Sequence, residues 1–401
     1  MLSQKTIDIV KSTVPVLEVH GNEITKAFYK NMFETHPQLL NIFNQANQQK
    51  GRQQTALANT VYAAAQYIDQ LEVLLPAVKQ IAHKHRSLVV KPEHYPIVGE
   101  HLLKAIKEVL GDAATDEIID AWGEAYGVIA DVFISVEQEM YDQAGSEAGW
   151  AEYKTFNVVK KVKESDNITS FYLKAADGTK TPNFAPGQYI TVRVNIPGEE
   201  YLLNRQYSLT SKPGDEYFRI SVKRERLEGL PDGKVSNYLH DHLNEGDTIE
   251  VTAPAGDFTI DVNDSKPVYF IAGGVGITPF MSMLQATASS NPERKVSVLH
   301  AMKNPSLQPF ANELMEMKKT LANLETSYFF DEVDTENTPT FSYKMGRIQL
   351  QDVNELNQEG VFYVCGPVPF MKSMVNELTQ LGIASEQIHY EFFGPAMNIE
   401  Q

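Results

Sequence analysis

Cysteine is nearly absent from this chain, and that absence narrows the chemistry first. Cys365 is the only thiol in 401 residues, which excludes an internal disulfide and any metal cluster built on cysteine. Positive charge is also short. The 35 Lys and Arg face 52 Asp and Glu, a net charge of −17, which argues against nucleic acid or an anionic membrane surface as the main partner. An anionic ligand must then be held by local positive groups. The opening residues, MLSQKTIDIVKST, carry charge and no apolar core, so a secretory leader is not expected. Long hydrophobic runs are missing too, except for the charge-free stretch 267–292. Its glycines, Pro279 and hydroxyl residues read as strand, turn and helix, not as a membrane span. A cytoplasmic, reducing setting follows. What remains, 42% apolar and 22% charged, is ordinary globular composition, and the length allows two or three domains of about 100 to 200 residues.

The chain is organised around residues 266–284, KPVYFIAGGVGITPFMSML. Val268, Tyr269, Phe270, Ile271 and Ala272 make a short apolar run suited to a parallel sheet covered on both faces. Gly273, Gly274 and Gly276 then remove the side chains where the backbone turns and where a ligand can approach it. Thr278 and Pro279 read as a helix cap and first-turn residue, which would leave free N–H groups as a phosphate seat. A glycine-rich turn lacking the G-x-G-x-x-G spacing can be a tight connection and no more. A second strand, 361–365 (VFYVC), ends in Gly366-Pro367 before another helix, and two strand ends meeting at one crevice are where open α/β sheets bind nucleotides. From about Asn263 the expected strands are 268–272, 296–301, 327–331, 361–365 and 388–391. Helices are expected after Thr278, Pro309, Arg347 and Pro367, giving a parallel sheet with helices on both faces.

Residues 150–262 alternate apolar and polar in short runs, with examples at 155–162, 168–174, 189–194 and 217–222, which predicts an antiparallel barrel. Residues 142–149, DQAGSEAG, read as the linker before it. The first third is helical. Ile118, Trp122, Ala125, Tyr126, Ile129, Phe133, Val136 and Met140 form one long stripe, and Pro76, Pro92 and Pro96 sit where first-turn prolines open helices. In 77–88, AVKQIAHKHRSL, His85 shares the apolar face of Val78, Ile81 and Ala82. A lone histidine there is more often core than ligand. Tyr95 and Glu137 are both placed to reach it, and a ligating histidine donates its second N–H to such a carboxylate.

With KNMFETHPQLLNIFN, QQTAL, AHKHRSL and EHYPIVGEHLL, the first third resembles a bacterial globin. The whole chain resembles the flavohaemoglobins, fusions of a globin with a ferredoxin-reductase-like module that act as nitric oxide dioxygenases. The reductase side of the resemblance rests on PGQY (186–189), RQYS (205–208), GKVSNYL (233–239), GGVGIT (273–278) and the tail YEFFGP (390–395). The resemblance implies an all-α globin at 1–145, an antiparallel β-barrel FAD domain at 150–262 and an α/β NAD(P)H domain at 263–401. It implies His85 as the proximal haem ligand, supported by Tyr95 and Glu137, with Lys84 beside it tuning the iron. On the distal side it implies Tyr29 as donor to bound O2, Gln53 and Leu57 over the iron, and Phe43 against the porphyrin.

The same resemblance puts Arg205, Gln206, Tyr207 and Ser208, with Tyr189, Val235 and Ser236, at the FAD. It puts Gly273, Gly274, Val275, Gly276, Ile277 and Thr278 under the nucleotide pyrophosphate and Cys365, Gly366 and Pro367 beside the nicotinamide. Glu391, Phe392 and Phe393 belong to the aromatic tail, with Phe393 shielding the flavin. The implied cofactors are haem b, FAD and NADH or NADPH. The implied reaction passes a hydride to FAD and single electrons to the haem, where O2 oxidises nitric oxide to nitrate. A haem gas sensor with an attached reductase, and a flavin reductase for other small acceptors, are the alternatives. Partners are expected to be NO and O2, with no nucleic acid and no obligatory membrane. A monomer is expected, and lipid in the haem pocket stays open.

Overall fold

The computed structural model describes residues 2–43, 48, 51–226, 229, 231–333, 339, 341–353 and 356–394. Two compact units emerge: Met1–Tyr153 with Arg193–Arg205 and the segment from Gly394, and Lys154–Val192 with Gln206–Phe393.

The first unit is helical: α1 (Gln4–Ser12), α2 (Val14–Thr35), α3 (Arg52–Gln66), α4 (Leu75–Ser87), α5 (His94–Leu110) and α6 (Asp116–Ala148). Side-chain oxygens cap two of these starts: Ser3 Oγ accepts from Thr6 N–H at 3.1 Å, and Thr115 accepts from Ile118 N–H. The predicted stripe is the buried face of α6, where Ala121, Trp122, Ala125 and Phe133 lie in the core. Trp122 is 2% exposed, and its indole N–H reaches Thr13 Oγ1 at 3.2 Å.

The expected linker at 142–149 is helix through Ala148. Pairs one turn apart, Gln138 with Asp142 at 2.8 Å and Gln143 with Glu147 at 2.9 Å, support it, and Tyr141 and Ala144 are buried. Its polar composition marks a solvated helix face, and the stop is Gly149 at φ 83°.

A six-stranded antiparallel-type sheet follows: β1 (Tyr153–Lys163), β2 (Ile168–Ala175), β3 (Tyr189–Val194), β4 (Leu203–Ser208), β5 (Phe218–Lys223) and β6 (Thr248–Thr252), in the order β4-β3-β6-β1-β2-β5. The chain after β4 turns back onto the far edge: Leu209 bridges Ile220, and Thr210 N–H bonds Arg219 O at 2.7 Å. That contact ties the segment after β4 to the β5 edge of the sheet. Helix α7 (Lys234–His242) lies between β5 and β6 in sequence.

The last sheet is parallel, in the order β10-β9-β8-β7-β11-β12, from β7 (Val268–Gly273), β8 (Val296–Met302), β9 (Leu324–Phe330), β10 (Tyr343–Met345), β11 (Val361–Cys365) and β12 (Ile388–Glu391). Every residue of β7 is buried, as a strand covered on both faces requires. The covering helices are α8 (Thr278–Ser290), α9 (Ala311–Met317) and α10 (Val368–Gln380). The charge-free stretch is therefore strand, turn and helix, and among the described residues no helix is long and apolar enough to cross a membrane.

The helix expected after Arg347 is only a 3-10 turn, Leu350–Asp352, among the described residues. Ile348 and Leu350 are 3% and 1% exposed, an alternation of period two that buries one face without helical spacing. Strand β10 escaped the sequence reading because its three residues, half-buried to exposed, carry no apolar pattern.

Candidate functional site

Helix α4 brings His85 to the inside of the globin-like unit, and α5 and α6 bring its partners. His85 Nδ1 lies 2.7 Å from Glu137 Oε1, and Tyr95 O–H donates to the same oxygen at 2.6 Å. Nδ1 is also 3.3 Å from the Tyr95 hydroxyl. Glu137 is 2% exposed, so an unaccompanied charge would be costly, and two donors on one oxygen offset that cost. Burial and then the Glu137 charge push the Tyr95 phenol far up, so it stays a donor.

With Nδ1–H given to the carboxylate, the lone pair of His85 sits on Nε2. The end of α4 is fixed by Val90 N–H to His85 O at 2.9 Å, with Val89 at φ 60°, a strained conformation for a β-branched residue. Sequence reasoning missed a further brace. Tyr126 O–H bonds Tyr95 O at 2.6 Å, and its ring fits only because Gly99 has no side chain; a Cβ there would stand 2.5 Å from Tyr126 Cε1.

Tyr29 lies on α2, and Gln53 and Leu57 lie on α3. Tyr29 is 8% exposed, and burial raises its phenol. Phe33 stacks at 5.7 Å from the Tyr29 ring, and Phe43 meets it edge-on at the same distance. Gln53 and Leu57 lie one turn apart on α3, with Leu57 against the apolar core. Gln53 Oε1 is buried and has no hydrogen-bond partner among the described residues. Of the motif around Phe43, Asn44 lies outside the described residues.

Among the described residues no three His, Cys, Asp or Glu gather as a metal site. A single imidazole with a free Nε2 fits a metal that brings its own equatorial ligands, as haem iron does, and does not fit a four-ligand zinc site. Lys84, next to His85, donates its ammonium to Gly394 O.

In the antiparallel sheet, β4 carries the run Arg205, Gln206, Tyr207, half-buried between buried Asn204 and Ser208. Arg205 Nη1 donates to Asn204 O at 2.7 Å. Tyr189 is 5% exposed and pairs through its backbone with Ala255, at 2.9 Å in both directions. Gly256, at φ 107°, leaves room for its ring; a Cβ would stand 2.8 Å from Cε1. A guanidinium, an aromatic ring and hydroxyls on one sheet edge suit a flavin nucleotide.

Ser236 and Asn237 do not cap α7. Ser236 Oγ donates to Gly233 O at 3.1 Å, and Asn237 Nδ2 donates to Glu225 O at 3.0 Å. Both side chains tie the 225 loop to the helix start, so the α7 N–H groups keep no side-chain acceptor at the cap.

At the parallel sheet, Gly274–Ile277 forms a 3-10 turn that runs straight into α8. Thr278 is thus the first residue of α8, not its cap, and its hydroxyl donates back to Val275 O at 2.9 Å. The free N–H groups shift to the start of the 3-10 turn, at Gly274 to Gly276. Gly276 packs on the end of β11: a Cβ would stand 2.1 Å from Cys365 O. Gly366 likewise sits against Gly273, so the two strand-end turns meet. Cys365 is fully buried, and burial raises its thiol well above the usual range, which fits a strand end and no nucleophile. Glu391 pairs with Cys365 in the sheet; Phe392 is 9% exposed and Phe393 is 49% exposed. Pro395, the last residue of the tail motif, lies outside the described residues.

A globin-like helical unit, an FAD-type barrel and a nucleotide-type parallel sheet define an oxidoreductase that couples a pyridine nucleotide to a flavin and a haem. Globin matches residues 26–133, the oxidoreductase FAD-binding domain residues 155–260 and the oxidoreductase NAD-binding domain residues 270–376. The chain belongs to the flavohaemoprotein family, and haem, FAD and a nicotinamide nucleotide are its cofactors. It is 54% identical to the flavohemoprotein of Bacillus cereus (strain ATCC 10987 / NRS 248) and 51% identical to that of Bacillus subtilis (strain 168), each over 100% of both chains. Among solved structures, the flavohemoglobin of Malassezia yamatoensis with bound FAD and heme matches at TM-score 0.85 and 29% identity, covering 98% of this chain and 100% of that one. The FAD/NAD-binding domain of nitric oxide dioxygenase from Vibrio cholerae matches at TM-score 0.56 and 36% identity, over 60% of this chain and 99% of that one.

Proposed function

We propose that this protein is a nitric oxide dioxygenase that removes NO in the cytoplasm, with functional domains at 1–145, 150–262 and 263–401. The observation that carries the reading is the His85–Glu137–Tyr95 group, a single imidazole held with Nε2 free and Nδ1 bonded to a buried carboxylate. The named activity of the Vibrio cholerae relative supports the choice of substrate. A cytoplasmic setting suits a chain with one unpaired thiol.

When bound, haem supplies an iron that takes O2 and cycles by single electrons, FAD splits a hydride into single electrons, and NADH or NADPH supplies the hydride. Each nitrate consumes one electron, so one nucleotide supports two turnovers. His85 would hold the iron through Nε2. Glu137 draws on Nδ1–H and so makes Nε2 a stronger donor, while Tyr95 fixes the carboxylate. Tyr29 would donate its hydroxyl toward the ligand, Gln53 would supply the amide whose Oε1 has no partner among the described residues, and Leu57 with Phe43 would keep water out.

Arg205 pairs with phosphate, while Gln206, Tyr207, Ser208 and Tyr189 hold the flavin and ribityl chain. Val235 and Ser236 sit at the helix start that takes the other phosphate. Gly273 to Thr278 seat the nucleotide pyrophosphate on backbone N–H groups, and Cys365, Gly366 and Pro367 shape the nicotinamide side. Phe393, 49% exposed, would shield the flavin face from water.

The test is an NO electrode with O2 and reduced nucleotide supplied, beside a nitrate assay. Loss of NO only when both are present, with nitrate in step, is the expected result. NO that persists while nucleotide is oxidised would leave a reductase joined to a haem sensor or store.

A further inference from the structure

His300 is a core histidine that the sequence reading passed over. It lies in β8, in register with Ala272 of β7 and Tyr328 of β9, and is fully buried. Its Nε2 is 2.8 Å from Gly274 O, and its Nδ1 is buried with no partner among the described residues. The carbonyl accepts, so Nε2 carries the hydrogen and the ring is the neutral Nε2–H tautomer. Burial holds it neutral, with its pKa lowered to about 4. A phenylalanine would fill such a core site and leave no orphan nitrogen, so packing alone does not account for an imidazole here. Among the described residues, the one bond that this ring makes goes to the glycine turn.

That bond has a direction. In a trans peptide the C=O of one residue and the N–H of the next point opposite ways from the same rigid plane. Drawing Gly274 C=O inward to His300 therefore turns Val275 N–H outward. Gly274 and Val275 are the half-exposed pair between buried Gly273 and Gly276, and the first N–H groups of a 3-10 turn have no acceptor within it. Gly274 itself is at φ 56°, where the plane is free to sit in more than one orientation unless something holds it.

We propose that His300 is a positioning residue for pyridine-nucleotide binding, anchoring the Gly274 carbonyl from inside so that Val275 N–H is aimed at the pyrophosphate. The role rests on the nucleotide-binding assignment of this domain. It concerns ground-state binding of the phosphates, so it acts on affinity and leaves hydride transfer at saturation alone.

The experiment uses the full-length holoenzyme, with steady-state oxidation of NADH and NADPH by ferricyanide and competition by ADP-ribose, which carries the pyrophosphate and no nicotinamide. His300→Phe is expected to raise the nucleotide KM and the ADP-ribose inhibition constant together by about tenfold, the worth of one well-aimed hydrogen bond to a charged group. Turnover at saturation stays within about twofold of the parent. His300→Gln, whose amide can reach the same carbonyl, recovers most of the loss. If His300→Phe does not fold, His300→Asn, with a shorter amide, is held to the same criterion. Unchanged KM and ADP-ribose inhibition, or a fall in turnover alone, overturns the role. A parent enzyme that oxidises neither nucleotide overturns the domain assignment, and the role with it.

Discussion

Replacing Glu137 by glutamine separates what its charge does from what its shape does. The amide oxygen can still accept from His85 and Tyr95, whose donors now stand 2.7 and 2.6 Å from Oε1, so the geometry is kept and only the charge goes. A hydrogen bond to a charged group is worth about 1.5 to 3 kcal/mol net and a neutral one about 0.5 to 1.5, so the His85 bond weakens by about 1 to 1.5 kcal/mol. Stability moves less, because removing a carboxylate that is 2% exposed also removes its desolvation cost. The weakened pull on Nδ1 leaves Nε2 a poorer donor, which disfavours ferric iron more than ferrous. Converted for a one-electron couple, that is a rise of about 40 to 65 mV in the haem midpoint potential. Spectroelectrochemical titration of the holoenzyme, followed at the Soret band, measures it directly. A folded Glu137→Gln variant whose potential moves by under about 10 mV would refute the coupling between the carboxylate and Nε2.

His85→Ala is expected to purify with FAD and without haem, so a normal Soret band in that variant would remove the ligand assignment. Tyr29→Phe deletes a buried hydroxyl, and O2 release measured by stopped flow should quicken by about tenfold; an unchanged rate counts against a distal donor. Arg205→Ala should lose FAD on dialysis, and flavin retained at one per chain sinks its phosphate role. Stability should also depend on pH through His300, whose folded pKa of about 4 lies below the ordinary 6.5. The unfolded chain takes a proton that the folded one refuses, so stability is full above about pH 6.5 and falls by about 1.4 kcal/mol per unit down to about pH 4. Thermal midpoints of the parent and His300→Gln should therefore converge as pH falls through that window, and parallel curves would contradict the buried, neutral ring.

Much of the fold was legible because burial imposes a period. The α6 stripe, the alternation of β1 to β6 and the unbroken apolar run of β7 each follow from which faces meet a core. Failures came where two causes produce one pattern. Residues 142–148 look like a linker because they are polar, yet a helix face turned to water is polar too. Thr278, Ser236 and Asn237 have the chemistry of caps, but a preceding 3-10 turn and the 225 loop claim their hydrogen bonds first. The closing of the barrel, by Thr210 and Arg219, depends on register across residues with no distinctive type. His85 was legible by its face, whereas its brace through Tyr126 was not, since that depends on a side chain Gly99 lacks.

The glycines of the nucleotide turn show where local reading reaches its limit. Sequence treats Gly273, Gly274 and Gly276 as one flexible turn, each freeing the backbone. Only Gly274 has a positive φ, at 56°, and it needs glycine for conformation. Gly273 and Gly276 need it for space: a Cβ on Gly273 would stand 2.9 Å from Phe370 Cδ1, and one on Gly276 would stand 2.1 Å from Cys365 O. Their reason lies nearly a hundred residues away, in the turn after β11, where Gly366 is in turn pressed on Gly273. The two turns are thus one object, and the crevice between strand ends exists because each glycine makes room for the other turn's backbone or side chains. Alanine at 276 would have to move the end of β11 itself, whereas alanine at 274 would strain a single residue and clash with nothing within 4 Å.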